Sequence, residues 1–300
     1  MHAEYLCPTL TALTSDGGVD FESQHRLYDR LIEAGIDGAI VLGSSGEFYA
    51  MTLDECCELG LDAIRHIAGR MKVYVGCGRL KMDETVELSN RMLDAGATGV
   101  IVVGPYYIGA SEEGIFSYYD EVASRVHGNI LIYNYPERTG YDVTPAIINR
   151  LLERHGNIVG IKDTVESATH TQAIVKGVKA EHPDFLVYSG FDNNLVPTVF
   201  AGGNGVIAAI SNMAPELCAS WIRAFKADDL KETARIHAEI CRLMDIYRIT
   251  TPFMPGMKKV LEFQGMGFTD RSLAPAVTCD DAAAAAAERI ASILKEESHV

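Results

Sequence analysis

Positive charge is scarce in this chain. Against 41 aspartates and glutamates stand only 26 lysines and arginines, a formal net charge of −15 over 300 residues. A surface of that sign repels phosphate backbones and anionic headgroups, so neither nucleic acid nor a membrane surface is expected as a partner. Long apolar runs are also missing. None reaches the ~18 residues a membrane-spanning helix needs. The opening MHAEYLCPTL has neither a basic start nor a long apolar stretch, so no export signal is expected. The seven cysteines are odd in number and contain no Cys-x-x-Cys. Disulfides and a zinc site are therefore not expected, and the thiols read as reduced, buried groups of a cytoplasmic protein. Among the nine histidines there is no His-x-His and no His-Glu-x-x-His, so no metal is expected. The dinucleotide-binding pattern G-x-G-x-x-G is absent after the first strands, and no Gly-, Pro- or Ser-rich linker divides the chain. No cofactor is expected.

What is present is a beat. Eight short apolar runs recur at 6–13, 38–42, 73–75, 99–103, 129–133, 158–162, 185–188 and 205–209. Most are Val- and Ile-rich without alternation, the mark of strands buried on both faces. Helical periodicity fills the gaps, over 21–34, 53–68, 83–95, 112–125, 145–153, 168–179 and 215–225. Asp20, Thr52, Thr144 and Asp192 stand where N-caps belong, and Gly35, Gly69 and Gly96 where helices should stop. From the second run onward, strand ends lie 20 to 33 residues apart, each interval holding one helix and one strand. Eight such units predict an α/β fold, a (β/α)₈ barrel of the TIM type. From about residue 227 the beat stops, and only helices follow, over 229–247, 254–263 and 280–297. The chain therefore reads as a catalytic barrel over 1–226 with a C-terminal helical extension over 227–300.

In such a barrel chemistry belongs at the carboxyl ends of the strands. After the second strand, Gly43-Ser44-Ser45-Gly46-Glu47 offers backbone N–H groups and two hydroxyls, a turn able to hold a carboxylate or phosphate. After the fourth comes Gly104-Pro105-Tyr106-Tyr107. The fifth ends in Tyr133, with Arg138 shortly beyond as a cation for a carboxylate or a partner in a loop salt bridge. The sixth, Ile158-Val159-Gly160-Ile161-Lys162-Asp163, is an apolar strand that ends in a lysine. Desolvation frees such an amine as a nucleophile, and an amine with a keto compound makes a Schiff base. Pairing of Lys162 with Asp163, or extension to the rim, is the alternative. Tyr133 lies one unit earlier, so the two groups end adjacent strands, where a phenol can pass protons to and from an iminium.

The ordered set GSSGE (43–47), GPYY (104–107), YNYPERTG (133–140), GIKD (160–163), SGFD (189–192) and GNGVIAAISNMAP (203–215) resembles the dihydrodipicolinate synthase / N-acetylneuraminate lyase family over nearly the whole chain. The resemblance implies a homotetrameric barrel enzyme that handles pyruvate without metal or cofactor. It implies Lys162 as the Schiff-base lysine and Tyr133 as the proton relay. Ser45, with Gly46 and the backbone N–H groups of the turn, would grip the pyruvate carboxylate. Ser44 and Tyr107 would complete the relay, with Tyr107 entering from a neighbouring subunit. Ile207 would line the pyruvate end. Arg138 matches the residue that holds the carboxylate of aspartate semialdehyde in the synthases, which makes 4-hydroxy-tetrahydrodipicolinate synthesis the leading expectation. Asp163-Thr164, 182–185 and 190–192 instead resemble the branch that cleaves 2-keto-3-deoxy sugar acids, so that activity, or sialate-type cleavage, is the alternative. Leu53 and Cys56 replace polar residues of the lysine feedback site, which implies insensitivity to lysine. A non-catalytic pyruvate-binding regulator on the same fold is the rival of another class, and the intact Lys162 and Tyr133 speak against it.

Overall fold

The computed structural model describes residues 3–297. Eight parallel strands close into a barrel in chain order: β1 (Glu4–Pro8), β2 (Gly38–Val41), β3 (Lys72–Gly76), β4 (Gly99–Val103), β5 (Ile130–Asn134), β6 (Ile158–Asp163), β7 (Leu186–Ser189) and β8 (Gly205–Ile207). Helices α1 (Phe21–Ala34), α2 (Leu53–Ile67), α3 (Met82–Asp94) and α4 (Glu112–Arg125) cross between the first five strands. Then follow α5 (Pro136–Thr139), α6 (Pro145–Leu152), α7 (Ala168–Val178), α8 (Leu195–Phe200) and α9 (Pro215–Lys226). Beyond them lie α10 (Leu230–Leu243), α11 (Met254–Phe263) and α12 (Asp281–Glu297).

The helix starts follow capping chemistry. Asp20, Thr52 and Thr144 each accept a backbone N–H of the first turn, and Thr52 forms a capping box with Glu55. Gly35, at φ 88°, closes α1 in the left-handed region that a side chain resists. Asp192 does not cap: it is fully buried and accepts hydrogen bonds from Tyr5, Tyr247 and the Ile210 N–H.

Two strand boundaries differ from expectation. Residues 9–13 continue the apolar run of β1 but are not strand. The Leu10 N–H is taken by Asn212 Oδ1 and the Ala12 N–H by Gln24 Oε1, each at 2.9 Å. Side chains from elsewhere replace a strand neighbour, and an apolar run cannot reveal that. At the other end of the chain, β8 stops at Ile207, and Ala209–Asn212 tightens into a 3₁₀ turn. One short helix was not expected: α5 falls inside YNYPERTG. The helix expected between β7 and β8 is the short α8, which carries Pro197 in its first turn, where proline is tolerated. Five cysteines are buried, but Cys241 is exposed and Cys279 half-exposed, against the expectation that the thiols lie inside.

The core is the barrel interior together with the shell between strands and helices, with residues such as Leu6, Val102, Leu131, Ile161 and Val187 fully buried. Beyond the barrel, α10 packs on α9 and α11 against α12, while the segment joining α10 to α11 reaches the carboxyl end of the strands. Among the described residues no helix is long and apolar enough to cross a membrane.

Candidate active site

A cleft of about 680 Å³ opens at the carboxyl end of the barrel. Lys162, Tyr133, Ser44, Ser45, Arg138 and Ile207 all line it. β5 and β6 pair so that Tyr133 stands directly beside Lys162. The lysine Nζ lies 4.3 Å from the centroid of the tyrosine ring, and both side chains are more than nine-tenths buried. Burial by itself would raise the Tyr133 phenol. The Lys162 ammonium and the Ser44 hydroxyl, 3.4 Å from the phenolic oxygen, outweigh it and hold the group below its ordinary value.

Asp163 does not neutralise Lys162. Strand alternation turns its carboxylate to the outer side of β6, where it accepts from Asn134 Nδ2 at 2.9 Å and Thr171 Oγ1 at 2.7 Å and meets His170 Nδ1 at 3.0 Å. His170 Nε2 lies 3.0 Å from Asp142. Both ring nitrogens therefore face carboxylates, and these hydrogen bonds push the imidazole up to about 10. Among the described residues Lys162 forms no ion pair. The paired-lysine reading is set aside, and a buried amine stands free in the cleft.

The turn after β2 leaves two backbone N–H groups without an acceptor among the described residues. They belong to Ser44 and Ser45, and both residues face the cleft. Gly46 behaves differently. Its N–H donates to the Gly43 carbonyl at 3.0 Å, its carbonyl accepts from Thr11 Oγ1, and it does not line the cleft. The Gly46 N–H is thus engaged in closing the turn. A Cβ there would lie 3.2 Å from both the Leu42 nitrogen and the Thr9 carbonyl oxygen.

Arg138 sits on α5 at the rim, exposed, with its guanidinium 5.3 Å from the Tyr135 ring centroid and without an ion pair among the described residues. Tyr107 is 89% exposed, in the left-handed region at φ 77°, and does not line its own chain's cleft. Within one chain the structure does not bring it to Ser44 and Tyr133. The residues that sequence reasoning missed come mostly from the C-terminal extension: Met244, Tyr247, Thr250 and Phe253 form one wall of the cleft. The Tyr247 hydroxyl donates to Asp192 and accepts the Ala209 N–H, tying that wall to the end of β8. No local pattern marks those positions. Thr164 is a further case. Its buried hydroxyl lines the cleft near the Tyr133 phenol, yet no group stands in hydrogen-bond geometry to it. Among the described residues no group of three or more His, Cys, Asp or Glu side chains is placed to hold a metal ion; His2 and His299 lie outside them.

The closed parallel barrel places a lysine at the end of β6 with a phenol beside it, the two side-chain types that Schiff-base lyase chemistry uses. The chain belongs to the Dihydrodipicolinate synthetase family, whose model matches residues 2–294. It is a pyruvate lyase of that family. Among curated relatives it is 36% identical over 274 residues, 91% of each chain, to the "Putative 2-dehydro-3-deoxy-D-gluconate aldolase YagE" of Escherichia coli (strain K12). It is 34% identical over 237 residues, 79% of this chain and 80% of the relative, to the 4-hydroxy-tetrahydrodipicolinate synthase of Kosmotoga olearia. The crystal structure of the E. coli YagE protein in complex with pyruvate superposes with a TM-score of 0.94 at 34% identity, covering 98% of both chains.

Proposed function

We propose that this enzyme cleaves, or in reverse forms, a 2-keto-3-deoxy sugar acid, with pyruvate as one product. The observation that carries the choice is the Thr164 hydroxyl, buried in the cleft two positions after Lys162 and lacking a hydrogen-bond partner. A buried unpaired hydroxyl is costly, and a polyhydroxylated substrate would satisfy it. The similarity to YagE, over more of the chain than to the synthase, supports the same reading.

The chemistry follows from the groups in the cleft. The substrate carboxylate binds the free N–H groups of Ser44 and Ser45 and the Ser45 hydroxyl. The Lys162 amine adds to the C2 carbonyl, and loss of water gives an iminium. Tyr133, as phenolate, takes the proton of the C4 hydroxyl. The C3–C4 bond then breaks, its electron pair moving into the iminium, and an aldehyde leaves. The Tyr133 phenol returns its proton to C3 of the enamine, and water hydrolyses the imine to free Lys162 and pyruvate. Ser44 connects Tyr133 to the turn, and Ile207 lines the pyruvate end. Tyr107 would serve the cleft of a second copy, in a homo-oligomer of the tetrameric kind.

Condensation of pyruvate with aspartate semialdehyde is the second reading, favoured by Arg138, whose unpaired guanidinium suits a second carboxylate. The experiment runs both reactions. Pyruvate release from 2-keto-3-deoxygluconate, with no turnover of aspartate semialdehyde, is the expected result; the reverse pattern overturns the proposal in favour of the synthase. Borohydride should trap pyruvate on the native chain and not on Lys162→Ala, and an adduct persisting on that variant would refute the Schiff-base assignment.

A further inference from the structure

The last residue of the GSSGE turn contributes nothing to the chemistry described above, yet it is the most heavily engaged. Glu47 adopts φ 62°, a left-handed conformation that a non-glycine residue holds only when its surroundings impose it. Its N–H closes the turn on the Ser44 carbonyl at 3.2 Å, and its own carbonyl accepts the Ala50 N–H at 3.1 Å. Its carboxylate is completely buried. One oxygen accepts from Lys258 Nζ in α11, the other from the Leu273 N–H. Lys258 is equally buried and also donates to the Arg271 carbonyl at 2.8 Å. Lys258, Arg271 and Leu273 all belong to the C-terminal extension, more than 200 residues further along the chain.

A buried ion pair is poor evidence of stability, because desolvation of the two charges offsets their attraction. What such a pair does supply is a fixed geometry, since neither charge can leave its partner inside a dry core. Here the geometry fixed is that of the turn that exposes the Ser44 and Ser45 N–H groups. The other side of the turn leaves no room for a side chain at Gly46, where a Cβ would lie 3.2 Å from the Leu42 nitrogen and the Thr9 carbonyl oxygen. We propose that Glu47 and Lys258 are positioning residues: their buried pair clamps the turn at 43–47 to the C-terminal extension and holds its N–H groups where the substrate carboxylate binds. This rests on the reading of that turn as the carboxylate site.

The test is borohydride trapping of pyruvate on the full chain, read as a half-saturating pyruvate concentration and a limiting rate. The double variant Glu47→Gln, Lys258→Met removes both charges together and leaves none unpaired. With native-like circular dichroism and a cooperative thermal transition, it is expected to need roughly tenfold more pyruvate or higher, with the limiting rate changed less than about threefold. The Lys258→Arg variant, which keeps the charge, is expected to recover most of that loss. A purely structural pair would lower the melting temperature and leave half-saturation unmoved; a folded double variant with half-saturation within twofold of native overturns the clamp. Should the double variant fail to fold, Glu47→Gln alone, which preserves volume, is read by the same two constants and the same criterion. Absence of trapping on the native chain overturns the Schiff-base reading, and the clamp with it. Trapping on the native chain with unmoved half-saturation in the variants overturns the clamp alone.

Discussion

Lys162 and Asp163 are consecutive in β6 and face opposite sides of it. The amine points into the cleft, 4.3 Å from the Tyr133 ring centroid, while the carboxylate turns outward into a shell of Asn134, Thr171 and His170. A lysine with an acid next to it in sequence would ordinarily be suspected of pairing with it. The two-residue period of a strand prevents that, and three hydrogen-bonding partners keep Asp163 where it is. The consequence is an amine free to act as a nucleophile, beside a phenol that its charge makes more acidic.

Tyr133→Phe removes the phenol proposed to shuttle protons at the iminium while leaving Lys162 in place. Turnover is expected to fall by ~10²–10⁴, the usual worth of a positioned acid–base group. Exchange of pyruvate methyl protons with deuterated solvent, followed by NMR, should slow in parallel, because it needs the same proton transfers without an aldehyde. Borohydride should still trap pyruvate. Exchange at the native rate in this variant would show that another group does the shuttling.

Thr164→Val keeps the shape of the side chain and deletes the unpartnered hydroxyl. If that hydroxyl meets a substrate hydroxyl, kcat/KM for the sugar acid should drop about tenfold or more, at ~1–2 kcal/mol for one hydrogen bond. Half-saturation for pyruvate alone should barely change. Equal losses for both compounds would mean that the substitution disturbs the pyruvate end and that Thr164 does not read the sugar chain.

His170 makes the stability depend on pH in a defined direction. Hydrogen bonds to Asp142 and Asp163 push its imidazole up to about 10, above the ~6.5 of a free histidine. A proton held more tightly in the fold than in the unfolded chain stabilises the fold fully below about pH 6.5. That support is lost as pH rises through about 10. The urea midpoint of the native chain should therefore fall from pH 6 to 9.5 more steeply than that of His170→Asn, which holds no such proton. Parallel slopes for the two proteins would mean that the charged clip contributes no measurable stability.

Much of this enzyme is legible without coordinates. Strands buried on both faces must be apolar throughout, so eight Val- and Ile-rich runs at regular spacing announce a closed parallel barrel. Helices α1, α4 and α11 begin and end at the expected residues, because caps and periodicity are local signals. Lys162 and Tyr133 were visible for the same reason: each ends a strand, and successive units bring strand ends together. Other features had no local signature. The wall built from Met244, Tyr247 and Phe253, the removal of Tyr107 from its own chain's cleft and the involvement of the Gly46 N–H in its own turn were decided by the closed tertiary structure. So was the pairing of Glu47 with Lys258, 211 residues apart. Hydrophobic period and capping chemistry act over a few residues and specify elements. Which side chain meets which across the chain depends on how those elements pack, and one-dimensional spacing does not carry that information.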